Sequence, residues 1–267
     1  MVFENFKNTL TWRFIKTLQT QRLEFLETFG NIGKDFWHVL IHLAKFHIKP
    51  SEVMIQAARF AFDSLPITLT IVSMTAIILS VQIAPELVKQ GGGDYYGMMC
   101  GLVMAREIGA VMAGFAIISM IGSAYASEIA SMNVTDQISA MKVLHVDPVE
   151  YLIVPRFIAG VLMMPVIVMI ASTVGIVVAG AVGNITAEIS TLNFITSLWH
   201  GLFVKDIFVA LLKSSVFGGT IALISCSCGY ATRGGAKDVG IATTKAVVWS
   251  FLAIAVWDFV FAVVFYM

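Results

Sequence analysis

Long apolar runs broken by short polar interludes set the pattern of this chain. Ser64 to Pro85 carries no charge over 22 residues, enough to cross a hydrocarbon layer of about 30 Å at about 1.5 Å per helical residue. Glu86 to Asp94, with its Gly91-Gly92-Gly93 run, reads as a short external turn. Tyr95 to Ser127 is apolar except for Arg106-Glu107, and Ile108 to Ser127 alone is long enough to span. Phe157 to Ala187 is charge-free for 31 residues; this is too long for one untilted crossing and predicts span three plus a glycine-rich exit near Gly180 and Gly183. Asn184 to Asp206 is mixed, with Trp199 and Phe203 suited to an interfacial loop or short helix. Ser214 to Thr232 predicts span four, Arg233 to Lys245 a basic loop, and Ala246 to Met267 span five, with Asp258 about halfway along it. Backbone groups in lipid must bond internally, and non-alternating runs of this length are helices rather than barrel strands. The expected fold is an all-α integral membrane protein with five transmembrane helices.

One interlude differs from the rest. Glu128 to Pro148 is a polar island holding Glu128, Asp136, Lys142 and Asp147, charges that lipid would not host cheaply. Val134, Ile138 and Met141 recur at i, i+4 and i+7, one face of a short helix, with Asn133 or Thr135 able to cap its start and Asp147-Pro148 to close it. This predicts a short helix outside the membrane between the second and third spans, offering a narrow apolar stripe to another protein.

Residues 1–63 form an N-terminal region with eight Lys/Arg against six acids. Lys34, His38, His42, Lys45 and Lys49 share one helical stripe, with Phe36, Trp37, Leu40, Ile41 and Leu43 on the other side. That is the pattern of an amphipathic helix lying in the membrane interface. Pro50-Ser51-Glu52 restarts the chain as a second amphipathic piece through Asp63, so residues 64–267 are expected to form the transmembrane domain proper. Charges from Glu4 to Arg22 interrupt any signal-peptide core, so the mature chain is expected to begin at Met1.

Composition agrees: 58% of residues are hydrophobic and 13% charged, and the formal net charge is zero, which leaves no electrostatic footprint for nucleic acid. The placement of the basic residues is informative. The N-terminal region, then Lys142 and Arg156, then Arg233, Lys237 and Lys245 fall on one side, against Lys89, Lys205 and Lys213 on the other. The bias puts the N-terminus and the island in the cytoplasm and the C-terminus outside. Cys100, Cys226 and Cys228 fit no metal framework and read as buried thiols.

Little of the chain suggests catalysis. There is no Gly-x-x-x-x-Gly-Lys-Ser/Thr phosphate cradle, so no ATP site is expected in the chain itself. Ser139-Ala-Met-Lys142 has the Ser-x-x-Lys spacing of some acyl enzymes without its companion motifs, and Gly122-Ser123 lacks an intramembrane His partner. His38-x-x-x-His42 has metal-ligand spacing, but no carboxylate or third ligand accompanies it as part of a ligand pattern, so no metal and no cofactor is expected. The sharper signal is Arg106-Glu107. Ionisable neighbours within a span are costly, and side chains about 100° apart cannot neutralise each other face to face. At least one needs another partner. Asp258 reads equally well as a hydrogen-bonded structural carboxylate or a functional one, and Gly97-Met-Met-Cys-Gly101 permits close helix packing.

These residues carry a resemblance. Arg106-Glu-Ile-Gly109, Gly122-Ser-Ala124, Glu128-Ile129, Val134-Thr135, Gln137-Ile138, Val146-Asp-Pro148, Pro155-Arg156, Ala242-Thr-Thr244 and Asp258-Phe259 stand in the order of the MlaE-type permeases of lipid-transporting ABC systems. From about Ser64 to its end the chain is similar to that family. It departs at Ala110 for proline, Met120 for arginine, Ala130 for glycine, Asp136 for glutamate, Ser139 for aspartate and His145 for glycine. The resemblance implies a homodimeric permease of the inner membrane, docked on a cytoplasmic ABC ATPase dimer that binds the ATP. It further implies an MCE-domain protein on the outer side and leaves room for a small cytoplasmic auxiliary subunit. The cargo it implies is phospholipid, in a cavity or gate at Arg106, Glu107, Val81, Gln82 and Asp258. ATPase coupling is expected at Glu128, Val134, Thr135, Asp136, Gln137, Ile138 and Met141. A membrane scaffold that transports nothing and a secondary transporter of small solutes are the alternatives.

Overall fold

The computed structural model describes residues 30–43 and 49–267, all helix and turn among the described residues. Residues 30–43 form α1, and Pro50–Lys89 forms α2. Then come α3 (Gly93–Val134), α4 (Gln137–Val143), α5 (Val149–Ala187), α6 (Thr191–Gly201), α7 (Val204–Tyr230) and α8 (Ala236–Tyr266). The five helices α2, α3, α5, α7 and α8 are each long and apolar enough to cross a membrane. They alternate in direction, so α1 and α4 share one end of the bundle, the island end, and α6 lies at the far end.

The helices outrun the apolar stretches that announce them. α2 is 40 residues long and passes through the proposed 63/64 boundary without a break. Its buried positions, Ala57, Phe60, Ser64, Thr68, Val72, Ala76, Ser80 and Ala84, recur almost every fourth residue and form one stripe against α5. The polar members cost little to bury because their hydroxyls bond within the helix: Ser64 donates to Phe60 O, Thr68 to Ser64 O and Ser80 to Ala76 O, each at 2.7 Å. α5 does not exit at Gly180 and Gly183 as the sequence pattern suggested, but continues to Ala187. Those two glycines are seats for aromatic rings: a Cβ at Gly180 would strike Phe194, and one at Gly183 would strike Tyr96. α8 likewise starts at Ala236, within the expected basic loop.

α7 and α3 form the centre, with 61% and 56% of their most apolar stretch buried, whereas α8 at 17% lies on the outside. Close backbone approach sets the middle of the core, since Gly160 of α5 faces Gly218 of α7 and a Cβ on either would meet the other's carbonyl. Gly97 and Gly101 do the same for α6, their open faces filled by the Phe194 carbonyl and the Leu198 side chain. Around these contacts pack Ile117, Ile118, Tyr125, Ile129, Ile153, Met164, Phe217 and Ile254, all essentially inaccessible.

Of the expected basic stripe, Lys45 lies outside the described residues, as does the chain before residue 30. Within α1, Asp35 and Val39 are buried, Ile32 and Leu43 pack on the core, and Phe36, Trp37 and Leu40 are exposed. The inward face is therefore mixed, Ile32, Asp35, Val39 and Leu43 turning toward the protein, while Lys34 and His38 of the expected basic stripe are exposed along with Phe36, Trp37 and Leu40.

Candidate functional site

Two places in the bundle hold charge where apolar residues would be cheaper. The first lies toward the far end of the spans: at about 1.5 Å per residue, Arg106 is about 20 Å along α3, Lys213 about 14 Å along α7, Asp258 about 12 Å from the end of α8, and Asp206 sits in the first turn of α7. It is built by three helices: α3 carries Arg106 and Glu107 on a wide π turn (Met104–Ile108), α7 carries Asp206 and Lys213, and α8 carries Asp258. The neighbours part company, as their angular separation requires. Arg106 Nε donates to Asp206 Oδ1 at 2.8 Å, and its guanidinium lies 4.5 Å from the Tyr266 ring centre. Glu107 Oε2 accepts from Lys213 Nζ at 2.8 Å, and the same ammonium donates to Arg106 O at 3.0 Å and pairs with Asp258. Asp206 Oδ2 also accepts the N–H of Phe203, closing the first turn of α7.

The Lys213 side chain is 1% exposed and that of Asp206 also 1%, while Glu107 is 39% exposed. The sealed members therefore hold together members that reach the surface. Two cations meet three carboxylates, so no cation can leave without stranding an acid, a loss that costs about 3–5 kcal/mol for a buried pair. Sequence reasoning missed Asp206 and Lys213 because both precede the apolar run that defined span four. The signal lay in the arithmetic: Arg106 cannot satisfy both Glu107 and Asp258, so a second cation was needed, and Lys213 stands one residue before an uncharged run. Asp258 sits in the far half of α8 rather than at its midpoint, because that helix begins ten residues earlier than its apolar run. Val81 and Gln82 are exposed on α2, one and two residues past buried Ser80, and so face away from the α5 contact.

The second place is the island end. Glu128, still within α3, accepts from Arg59 of α2 at 2.9 Å and pairs with Arg156 of α5 at 3.2 Å, which makes it a brace between three helices. α3 ends at Val134, and Thr135-Asp136 turns the chain, with Asp136 left-handed at φ 59°. Neither expected residue caps α4: Thr135 bonds back to Ser131 O, and Asn133 donates to Tyr230 O and Thr232 O, securing the end of α7. α4 ends in a reverse cap, with Val146 N–H to Met141 O and His145 N–H to Lys142 O. His145 takes the left-handed position at φ 57° where glycine fits best.

The apolar stripe of α4 is occupied from within. Ile138 is 1% exposed and belongs to the main core, and Met141 packs against that core. Periodicity found the apolar face, but the bundle itself covers it. What α4 offers outward is Asp136, Gln137 and Ser139 along its length and, at its end, Val143 at 76% and Leu144 at 74% exposure. The fold also brings two carboxylates to His42 from beyond α4: Asp147 at 3.2 Å and Glu150 at 3.7 Å.

Comparison with known proteins agrees with this architecture. A family model described as Permease MlaE matches residues 53–264. A probable ABC transporter permease protein of Synechocystis sp. is 35% identical, with the alignment covering 83% of this chain and 84% of that one. A probable ABC transporter permease protein of Rickettsia felis is 30% identical over 91% and 94% respectively. Protein TRIGALACTOSYLDIACYLGLYCEROL 1, chloroplastic, of Arabidopsis thaliana is 33% identical over 85% of this chain and 65% of its own length.

Proposed function

Because the chain belongs to the MlaE permease family, we propose that it is the membrane subunit of an ABC system that carries phospholipid between the inner membrane and an MCE-domain protein on the outer side. A separate ATPase supplies the power, and two copies of the chain enclose the lipid path. The island end faces the cytoplasm and the far end the outer side, as the basic bias favours.

The observation that carries this reading is the charged cluster on α3, α7 and α8. Ion pairs shared between three helices are sensitive to ångström-scale shifts: moving one helix by a few ångströms exchanges partners rather than stretching a bond. Glu107 and Arg106 are partly exposed and so can meet a headgroup, while apolar span surfaces such as that around Val81 accept acyl chains. The name of the Arabidopsis relative includes a glycerolipid, which supports a lipid cargo. α4 is the contact for the ATPase. Seated on the core by Ile138, it passes movement of the motor into α3 and α5, with Val143, Leu144, Asp136 and Gln137 as the touching residues.

The test is lipid transfer and ATP turnover by the purified complex in nanodiscs, with mass spectrometry of the lipids it retains. Co-purified phospholipid and lipid-stimulated turnover are expected. A complex that holds an MCE protein but neither retains lipid nor responds to it would be a scaffold, and activity without any ATPase would mark a secondary transporter.

A further inference from the structure

At the island end a cavity of about 700 Å³ opens between α1, the loop after α4, and the facing ends of α7 and α8. It is separate from the charged cluster, and the transport reading makes no use of it. Asn31, Lys34, Asp35 and His38 bring the polar face of α1 to it, and Phe36, Trp37 and Leu40 point the opposite way. α1 thus walls a polar chamber from whatever apolar surroundings lie outside. Four cations reach the chamber: Lys34, Lys142, Arg233 and Lys245. Three acids do too, but two are engaged: Asp147 pairs with His42 and accepts the Val149 N–H at 2.9 Å, and Asp238 accepts the Gly235 N–H at 2.9 Å. The third, Asp35, is buried, and burial raises its carboxyl above the ordinary value despite the nearby Ser227 hydroxyl and the charges of His38 and Lys34. Ser227 Oγ, also on the lining, is buried beside the Asp35 carboxyl and makes no hydrogen bond of full geometry among the described residues. A buried hydroxyl held short of a full hydrogen bond is costly to keep, and a second polar group on the chamber side would complete it.

We propose that this chamber binds a phosphate-bearing anion, with Lys34, Lys142 and Arg233 supplying the charge and Ser227 a hydroxyl donor at its floor. Because the wall is α1 and the opposite side includes Lys142 of α4 and Asp147 beyond it, an occupant joins the N-terminal helix to the α4 loop. The phosphate comes either from an anionic phospholipid headgroup or from a soluble phosphate ester.

The full chain in nanodiscs distinguishes the two sources. Inorganic phosphate and glycerol 3-phosphate are titrated by calorimetry into phosphatidylcholine discs, and retention of phosphatidylglycerol from mixed discs is read by native mass spectrometry. Saturable binding of the soluble anions, or selective retention of phosphatidylglycerol, is expected to weaken about tenfold in Lys34→Gln and again in Arg233→Gln. Lys237→Gln removes the same charge outside the lining and is expected to change nothing. Ser227→Ala, which alters no charge, is expected to weaken binding several-fold, so the outcome does not depend on how well the charge variants fold. Failure of all three probes to bind, or an equal loss in Lys237→Gln, overturns the proposal.

Discussion

The two charged regions of this bundle use ionic groups in opposite ways. In the spans Lys213 and Asp206 are sealed and every ionic side chain of the cluster meets an opposite charge from a different helix. At the island end the partners are half exposed: Arg59 at 40% and Glu128 at 36%, with only Arg156 buried. An exposed pair contributes about 0–1 kcal/mol, whereas a sealed charge that loses its partner costs several times that. Stability is thus tied to the inner cluster, and the island surface is free to serve contact.

The contrast breaks hardest at Lys213. Lys213→Ala strands Glu107 and Asp258 and should lower stability by about 3–5 kcal/mol, read as thermal unfolding in detergent. Pairing it with Asp258→Asn should recover part of that loss; a double variant as unstable as the sum of its parts would show the two act independently. Next comes a split on α4 itself. Ile138→Asp places a charge in the core and should destabilise the chain by several kcal/mol, while Leu144→Asp should leave unfolding within about 0.5 kcal/mol of the parent yet cut ATPase co-purification about tenfold or more. If Leu144→Asp keeps its ATPase, the docking surface lies elsewhere. Glu107→Gln keeps the Lys213 contact without the charge and should impair lipid transfer more than assembly; unchanged transfer would remove it from the lipid path.

Smaller effects sharpen the island side. Asp35 has a folded pKa raised from 3.8, so the folded chain holds that proton at pH values where the unfolded chain has lost it. Its contribution is favourable in acid and fades as pH rises through the folded value. Asp35→Asn should flatten that slope, seen as slower amide exchange of α1 at neutral pH. The smallest change is His145→Gly, which relieves a left-handed residue and should stabilise the α4 cap by at most about 1 kcal/mol.

Five crossings were legible because lipid allows so few backbone solutions, and charge-free runs such as Ser64 to Pro85 mark them without ambiguity. Helix ends were not, since a helix continues past lipid wherever its hydrogen bonds do; α2 shows this by running from Pro50 through Asp63 into its span. The need for partners at Arg106 and Glu107 followed from helical geometry alone. Their identity did not, because Asp206 and Lys213 come from about 100 residues away. Ile138 fell short for another reason: periodicity gives the apolar side of a helix but is silent about whether the chain's own core or a stranger covers it.

One consequence follows from α3 being a single helical run from the far end to the α4 turn. From Arg106 to Val134 is 28 residues, about 42 Å at about 1.5 Å each, with a second wide π turn at Ile118–Gly122 along the way, and the run acts as a lever. A tilt of about 5° imposed where the chain emerges beside α4 sweeps the guanidinium through roughly 3.5 Å, about the reach of one ion pair. A small push at one surface is thereby magnified into a change of electrostatic partner toward the opposite end of the bundle.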